Sequence, residues 1–272
     1  MSASNGAGQV DAPAVIVERI GKVGVVRLNR PTKLNSLNPD AIRQLRDGFA
    51  AHAVDDGVNA VLLEGEGRSF CAGGDQSGGG KKPEGAYGWY RFLAREANTL
   101  VRELVGFEKP VVAGVQGHVY GAGMALAMTA DLVVAAADAR FSTAYLKIAN
   151  KPDFGTTYLL PRRVPSLSVA KDLIYTSRVV AADEALRLGL ANRLVDTERL
   201  HEEALALATE LADGPPQSLR VTKSILDRSL DSDLDTVLTM EAMAHGIVKV
   251  SKDHAEGVAA FFEKRSPTFT GE

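Results

Sequence analysis

Apolar and polar positions alternate in short blocks through the first half of the chain. Residues 14–20 (AVIVERI) and 23–29 (VGVVRLN) are apolar-rich runs separated only by Gly21 and Lys22. Two residues including glycine between β-branched runs predict a hairpin. Arg30 and Pro31 end the second run. Asn38 and Pro39 then open a helix, Asn38 as N-cap and Pro39 at the first helical position, with Ile42, Leu45, Phe49 and Ala53 as its apolar stripe. Residues 60–64 (AVLLE) predict a buried strand, residues 65–75 a glycine-rich loop, and residues 77–88 (SGGGKKPEGAYG) a flexible segment before a helix that runs to about Phe107. Lys109 and Pro110 introduce a strand over Val111–Val115, followed by a turn, a helix over about 122–130 and a strand over Leu132–Ala136. This alternation predicts an α/β domain with largely parallel pairing and helices on both faces of the sheet.

The last third changes period. Residues 169–176, 181–187, 198–211, 217–229 and 232–262 all read as helical, with Asp183 capping the second and Gly189 stopping it. The expected organisation is a disordered tail over 1–12, a core over 13–200 and a helical C-terminal region over 201–272.

Composition removes several function classes. Among 272 residues, 31 Lys and Arg face 34 Asp and Glu, a net charge of −3, which excludes a strongly basic nucleic-acid binder. The single cysteine, Cys71, permits neither an internal disulfide nor a Cys-rich zinc site, and points to a reducing, cytoplasmic setting. Residues 110–130 carry no charge, but four glycines, Gln116 and His118 make them a buried strand, turn and helix rather than a membrane span. The first positive charge is Arg19, so a basic signal-peptide start is absent. The histidines (His52, His118, His201, His245, His254) show no metal-ligand spacing, and no metal site is expected. His52, His201 and His254 read as solvated helix residues, His118 as a packing or hydrogen-bonding residue, and Cys71 as a small buried filler.

Two glycine-containing turns are candidates for chemistry: residues 69–75 (SFCAGGD), and residues 117–123 (GHVYGAG) between a buried strand and a helix. Small residues let backbone approach a ligand, and two N–H groups from separate turns can hold a developing oxyanion. The same spacing also suits plain tight turns in a packed sheet. A dinucleotide fingerprint fails because Leu126 stands where the third glycine belongs.

Taken together, five segments resemble the crotonase (enoyl-CoA hydratase/isomerase) superfamily: residues 28–37 (LNRPTKLNSL), 70–75 (FCAGGD), 109–117 (KPVVAGVQG) with 121–123 (GAG), 182–190 (ADEALRLGL), and 256–265 with Pro267 and Phe269. The resemblance runs in order from about residue 14 to 271. It implies a spiral of ββα units with a helical C-terminal trimerisation region, a homotrimer or hexamer, and an acyl-CoA thioester as ligand. Coenzyme A then enters as part of the substrate, with no permanently bound cofactor and no nucleic-acid or membrane partner. By position, Ala72 and Ala122 would supply the oxyanion-hole N–H groups. Lys33, Leu34, Gly73, Gly74 and Asp75 would lie along coenzyme A, with Lys264 and Phe269 reaching it from a neighbouring subunit. Trp89, Tyr90 and Phe92 line an acyl pocket or pack their helix.

The chain departs from the family's hydratases at two positions. Their paired glutamates fall on Ala125 and Tyr145, so ordinary hydration is expected to be weak. One carboxylate remains, Asp153, in a segment (KPDFG) that resembles the family's Pro-Asp-x-Gly turn. Three readings stay open. Asp153 moves a proton between carbons of an enoyl-CoA with Tyr145 as hydrogen-bond partner; or it attacks or activates water in a hydrolase- or dehalogenase-like reaction; or the chain binds acyl-CoA without turnover. Asp153 as a helix N-cap and Tyr145 as a packing residue are the structural alternatives.

Overall fold

The computed structural model describes residues 12–77 and 83–272. The tail expected over 1–12 lies, apart from Ala12, outside the described residues, as does the middle of the 77–88 segment.

Strands β1 (Val15–Ile20) and β2 (Val23–Leu28) form the expected antiparallel hairpin. Helix α1 (Pro39–Val54) follows a 3-10 turn, and its N-cap Asn38 accepts a hydrogen bond from Ala41 N. Its buried stripe ends on His52, whereas Ala53 is exposed, contrary to expectation. The reason lies on β2: a Cβ at Gly24 would stand 2.6 Å from His52 Cγ, so the missing side chain makes room for the imidazole. Burial lowers the His52 pKa, consistent with a neutral ring.

After β3 (Ala60–Gly65), α2 (Gly85–Phe92) and α3 (Asn98–Val105) are joined by one π-helical turn, Leu93–Ala97. Then come β4 (Val111–Val115), β5 (His118–Tyr120), α4 (Ala122–Thr129), β6 (Leu132–Ala136) and β7 (Arg140–Ser142). A 3-10 turn, Tyr145–Ile148, leads to α5 (Thr156–Arg163) and α6 (Leu167–Thr176). The chain continues through β8 (Val180–Ala181), α7 (Ala182–Leu188), β9 (Arg193–Val195), α8 (Leu200–Asp213), α9 (Pro216–Ser229), α10 (Leu234–Lys249) and α11 (Lys252–Glu263).

The large sheet has the order β1-β2-β3-β4-β6-β9, parallel from β2 onward, and a small sheet has the order β5-β7-β8. Units such as β4-β5-α4 send their first strand into the large sheet and their second into the small one. Along each central strand successive side chains face opposite cores. Val26, Val61, Leu63, Val111 and Ala113 join α1, α3 and α4 on one face; Val25, Leu62, Val112 and Val134 join α8 on the other.

Three local expectations change. Asp183 does not cap α7, whose N-cap is Ala181; its carboxylate pairs with Arg187 one turn on, at 2.8 Å. The helix expected over 232–262 breaks at Val250 and Ser251, where Ser251 caps α11 by accepting from His254 N. His201 is not purely solvated: its Nδ1 lies 3.0 Å from Glu64 Oε2. Helix α8 closes the second face of the sheet, so the helices with little or no buried face begin at α9.

Candidate active site

The site forms where the 69–75 loop meets the β5–α4 turn. Cys71 and Val119 form a bridge that brings the loops together: Cys71 N donates to His118 O and Tyr120 N donates to Cys71 O, each at 3.0 Å. Gly123 makes the approach possible, since a Cβ there would lie 2.3 Å from Cys71 O. Gly121 takes φ +52° and ψ −121°, a conformation suited to glycine, and starts α4. A Cβ at Gly73 would sit 3.6 Å from Ala122 N, so the two turns touch. Cys71 itself is fully buried, and burial pushes its thiol pKa up to about 12, which makes it a filler rather than a nucleophile.

The amide assignment needs one correction. Ala72 N–H donates to Leu34 O at 2.9 Å, so Ala72 is not the free donor expected. Leu37 N donates to Gly73 O and Asp75 N donates to Leu37 O, a parallel bridge that turns the intervening Gly74 N–H to the opposite side. Gly74 is exposed, and its N–H has no acceptor among the described residues; the same holds for the Ala122 N–H at the start of α4. The sequence signal for Gly74 was its place beside the aspartate of the loop.

Asp75 is tied into the loop. One carboxylate oxygen pairs with Arg30 Nη2 at 2.8 Å, the other accepts from Ser77 N and Oγ, and its backbone N–H is used by Leu37. Burial works against its ionisation, but the bonds from Ser77 and Arg30 outweigh it and hold the pKa down to about 2. Asp75 therefore braces the loop, with both carboxylate oxygens bonded to protein groups. Arg30 also donates to Ser36 O. Asn35, buried with φ +53°, bonds Arg30 N, Glu66 O and Ser69 O, and this frame sets Leu34 against Ala72. Lys33 stands beside it, exposed.

The Asp153 segment approaches from the other side. A Cβ at Gly121 would lie 3.9 Å from Gly73 Cα and 3.9 Å from Tyr145 Cε1, so the Tyr145 ring adjoins the β5–α4 turn at Gly121. Tyr145 is buried; its Oη lies 3.1 Å from Thr156 Oγ1 and 3.3 Å from Asp153 O. The Asp153 side chain is 16% exposed, with Lys151 Nζ 3.9 Å away. It caps no helix: the N-cap of α5 is Gly155, without a side-chain cap bond. Burial raises the Asp153 pKa, against opposing effects of the nearby Lys151 charge and Tyr145 hydroxyl. Burial and the Asp153 charge together hold the Tyr145 phenol well above the ordinary tyrosine range, so it stays protonated. A half-buried carboxylate of raised pKa is chemically able to accept a proton near neutral pH.

A family model described as enoyl-CoA hydratase/isomerase matches residues 18–272. The chain belongs to the enoyl-CoA hydratase/isomerase family. It is 36% identical over 252 residues to the short-chain-enoyl-CoA hydratase of Clostridium acetobutylicum, covering 92% of this chain and 95% of that one. It is 38% identical over 251 residues to the 1,2-epoxyphenylacetyl-CoA isomerase of Escherichia coli, with the same coverages. The crystal structure of an enoyl-CoA hydratase from Bacillus anthracis superposes with TM-score 0.89 at 30% identity, covering 95% of this chain and all of that one. These relatives carry both hydratase and isomerase names, so they lend no support to the expectation of weak hydration.

Against the family pattern, Ala125 is fully buried inside α4. Lys264 ends α11 in a left-handed conformation, and Phe269 packs on Gly257 beside a groove of about 320 Å³ that Phe261 and Phe262 also line. Their neighbours belong to the C-terminal helices. Among the described residues no helix is long and apolar enough to cross a membrane. Thr156 was missed in the sequence; only its spacing, three residues after Asp153, could have signalled it.

Proposed function

We propose that this family member binds an acyl-CoA thioester and catalyses isomerase-type proton transfer along its acyl chain, with Asp153 as the base. In this reading the thioester oxygen accepts hydrogen bonds from the Gly74 and Ala122 N–H groups. Proton loss from the α carbon turns that oxygen into an enolate, and two fixed amides stabilise the new charge; each such donor is worth roughly 3–4 kcal/mol. Asp153 takes the proton and returns it at another carbon, so one carboxylate serves as base and then as acid. Tyr145 donates a hydrogen bond and stays neutral. Lys33 and Leu34 run along the coenzyme, and Gly73 lets it approach the backbone.

The observation that carries this reading is the Asp153 carboxyl: 16% exposed, capping nothing, and beside Tyr145, whose ring adjoins the turn at Gly121. Ala125 and Tyr145, where the resemblance puts the hydratase glutamates, argue in the same direction, because neither replaces a carboxylate. The hydratase names among the relatives favour a second reading, water addition.

The test is exchange of solvent deuterium into trans-3-hexenoyl-CoA and crotonyl-CoA, followed by mass spectrometry. Exchange that Asp153→Asn abolishes supports the reading. Crotonyl-CoA hydration at an ordinary hydratase rate, with no exchange dependent on Asp153, overturns it in favour of the second.

The exposed apolar residues of α9–α11, among them Leu230, Leu234, Met243, Ile247, Phe261 and Phe262, support a homotrimer or hexamer built through this region. Lys264 and Phe269 would then reach coenzyme A on a neighbouring copy. The single buried thiol accords with a cytoplasmic location.

A further inference from the structure

Helix α4 carries the Ala122 N–H at its first residue, and its other end is closed by an arginine with no part in the reading above. The helix has eight residues, all buried, so its last carbonyls have to be paired within the protein. Leu126 O accepts from Thr129 Oγ1 at 2.7 Å, and Ala127 O from Ala130 N at 3.3 Å. Met128 O accepts from Arg163 Nη2 at 2.9 Å, and the same nitrogen donates to Ala130 O just past the helix. Arg163 is the last residue of α5. Its neighbour Arg162 faces the other way, pairing with Asp231 at 2.7 Å and lying over the Tyr158 ring.

The charge of Arg163 is not spent on a carboxylate. Among the described residues it forms no ion pair, and Asp131 and Asp227 act on it only from a distance. Both Asp131 oxygens are bonded to Lys223 Nζ, and one of them also accepts from Val111 N. Burial lowers the Arg163 pKa, yet a guanidinium keeps its proton at neutral pH. A positive charge therefore sits at the negative pole of α4, about 12 Å from the Ala122 end at 1.5 Å per residue. Left alone, the C-terminal carbonyls of so short a helix oppose an oxyanion at its first turn, since both are negative. Buried surroundings screen little of that opposition.

We propose that Arg163 is a positioning residue for the oxyanion site: by binding the C-terminal carbonyls of α4 it fixes the helix that presents the Ala122 N–H and offsets its negative pole, so that the thioester oxygen is polarised more strongly. This rests on the reading of Ala122 as an oxyanion donor. Arg163 touches neither substrate nor reacting atoms and acts only through α4.

The experiment is isotope-edited infrared spectroscopy of butanoyl-CoA, labelled with 13C at the thioester carbonyl and bound to the full-length protein. In the wild type the bound carbonyl stretch lies at lower frequency than in free butanoyl-CoA. Arg163→Met keeps the apolar stem, removes the charge and moves the band back toward the free value. Arg163→Lys keeps the charge and the wild-type band, and Arg162→Gln, which removes a charge from the outer side of the same helix end, leaves the band in place. If Arg163→Met does not fold, Arg163→Gln, which keeps a donor and loses the charge, is compared with Arg163→Lys. In deuterium exchange into trans-3-hexenoyl-CoA, Arg163→Met lowers kcat about tenfold with KM unchanged, and Arg163→Lys restores it. A merely structural arginine would lower urea stability on substitution and leave the band of the folded complex unmoved; that result overturns the role of Arg163 alone. A wild-type band at the free frequency overturns the oxyanion reading of Ala122, and this proposal with it.

Discussion

The two faces of the large sheet are covered in different ways. On one, Val25, Leu62, Val112 and Val134 meet Leu200, Ala204, Leu207 and Ala208 of α8, and the packing is aliphatic throughout. On the other, α1, α3 and α4 pack the sheet while the loops at its edge hold the candidate site. Among the described residues, seven other than glycine take positive φ. Two of them, Ser177 and Lys264, end helices α6 and α11, an ordinary use of the left-handed region. The other five flank the candidate site: Leu34 and Ala149 end the 3-10 turns Pro31–Lys33 and Tyr145–Ile148, and Asn35, Ala144 and Phe154 lie beside them. Each costs about 1–2 kcal/mol of backbone strain. The site thus spends part of the fold's stability on backbone geometry and on a half-buried carboxylate.

Substitutions on the two sides should separate activity from stability. The largest effect is expected at Asp153. Asp153→Asn should lower the exchange rate by about 100- to 10,000-fold, the usual span for a lost general base. The same substitution should leave urea stability at neutral pH equal or higher. The sign follows from linkage: a carboxyl whose folded pKa is raised binds its proton more tightly in the native state, so stability falls as pH rises through the window between the unfolded and folded values. A loss of stability at neutral pH would show that the carboxylate is structural. The activity profile should fall on its acid side at a pH above the value of an ordinary aspartate, since the base form is populated only above the raised pKa.

Behind the sheet the pattern reverses. Leu62→Ala removes a fully buried side chain against α8 and should cost about 2–5 kcal/mol in urea unfolding, with kcat per folded molecule kept. Equal losses of activity and stability at Leu62 would erase the contrast between the faces. Ala149→Gly should gain about 1 kcal/mol, because the residue is exposed and takes φ +53°; no gain would mean that the loop is not strained there. The smallest change is expected at Arg46, whose pair with Glu103 at 2.7 Å is solvent-facing: Arg46→Ala should shift stability by less than about 1 kcal/mol.

Much of this was legible in the chain itself. The hairpin, α1 with its Asn38 cap, and β3, β4 and β6 follow from apolar period and turn residues, because those elements are stabilised by neighbours along their own length or by burial of a regular face. The family was legible through five segments in order. Other features depended on distant partners. The α10–α11 break hides in a continuous helical pattern, and rests on Ser251 and on Glu272 O, which accepts from the N–H groups of Lys252 and Asp253. His52 replaced Ala53 in the stripe because Gly24, on another element, leaves room.

The sequence by itself determined the alternation of strand and helix, the pairing of two glycine turns and the survival of one carboxylate, Asp153, where glutamates are absent. Only the tertiary structure decided which peptide groups are free. The Leu34 carbonyl, far away in sequence, accepts the hydrogen bond of the Ala72 N–H while Gly74 stays open, and Thr156 bonds the Tyr145 hydroxyl beside Asp153. The physical reason is that a hydrogen-bond donor has a single proton, and its destination depends on the acceptor that folding brings nearest.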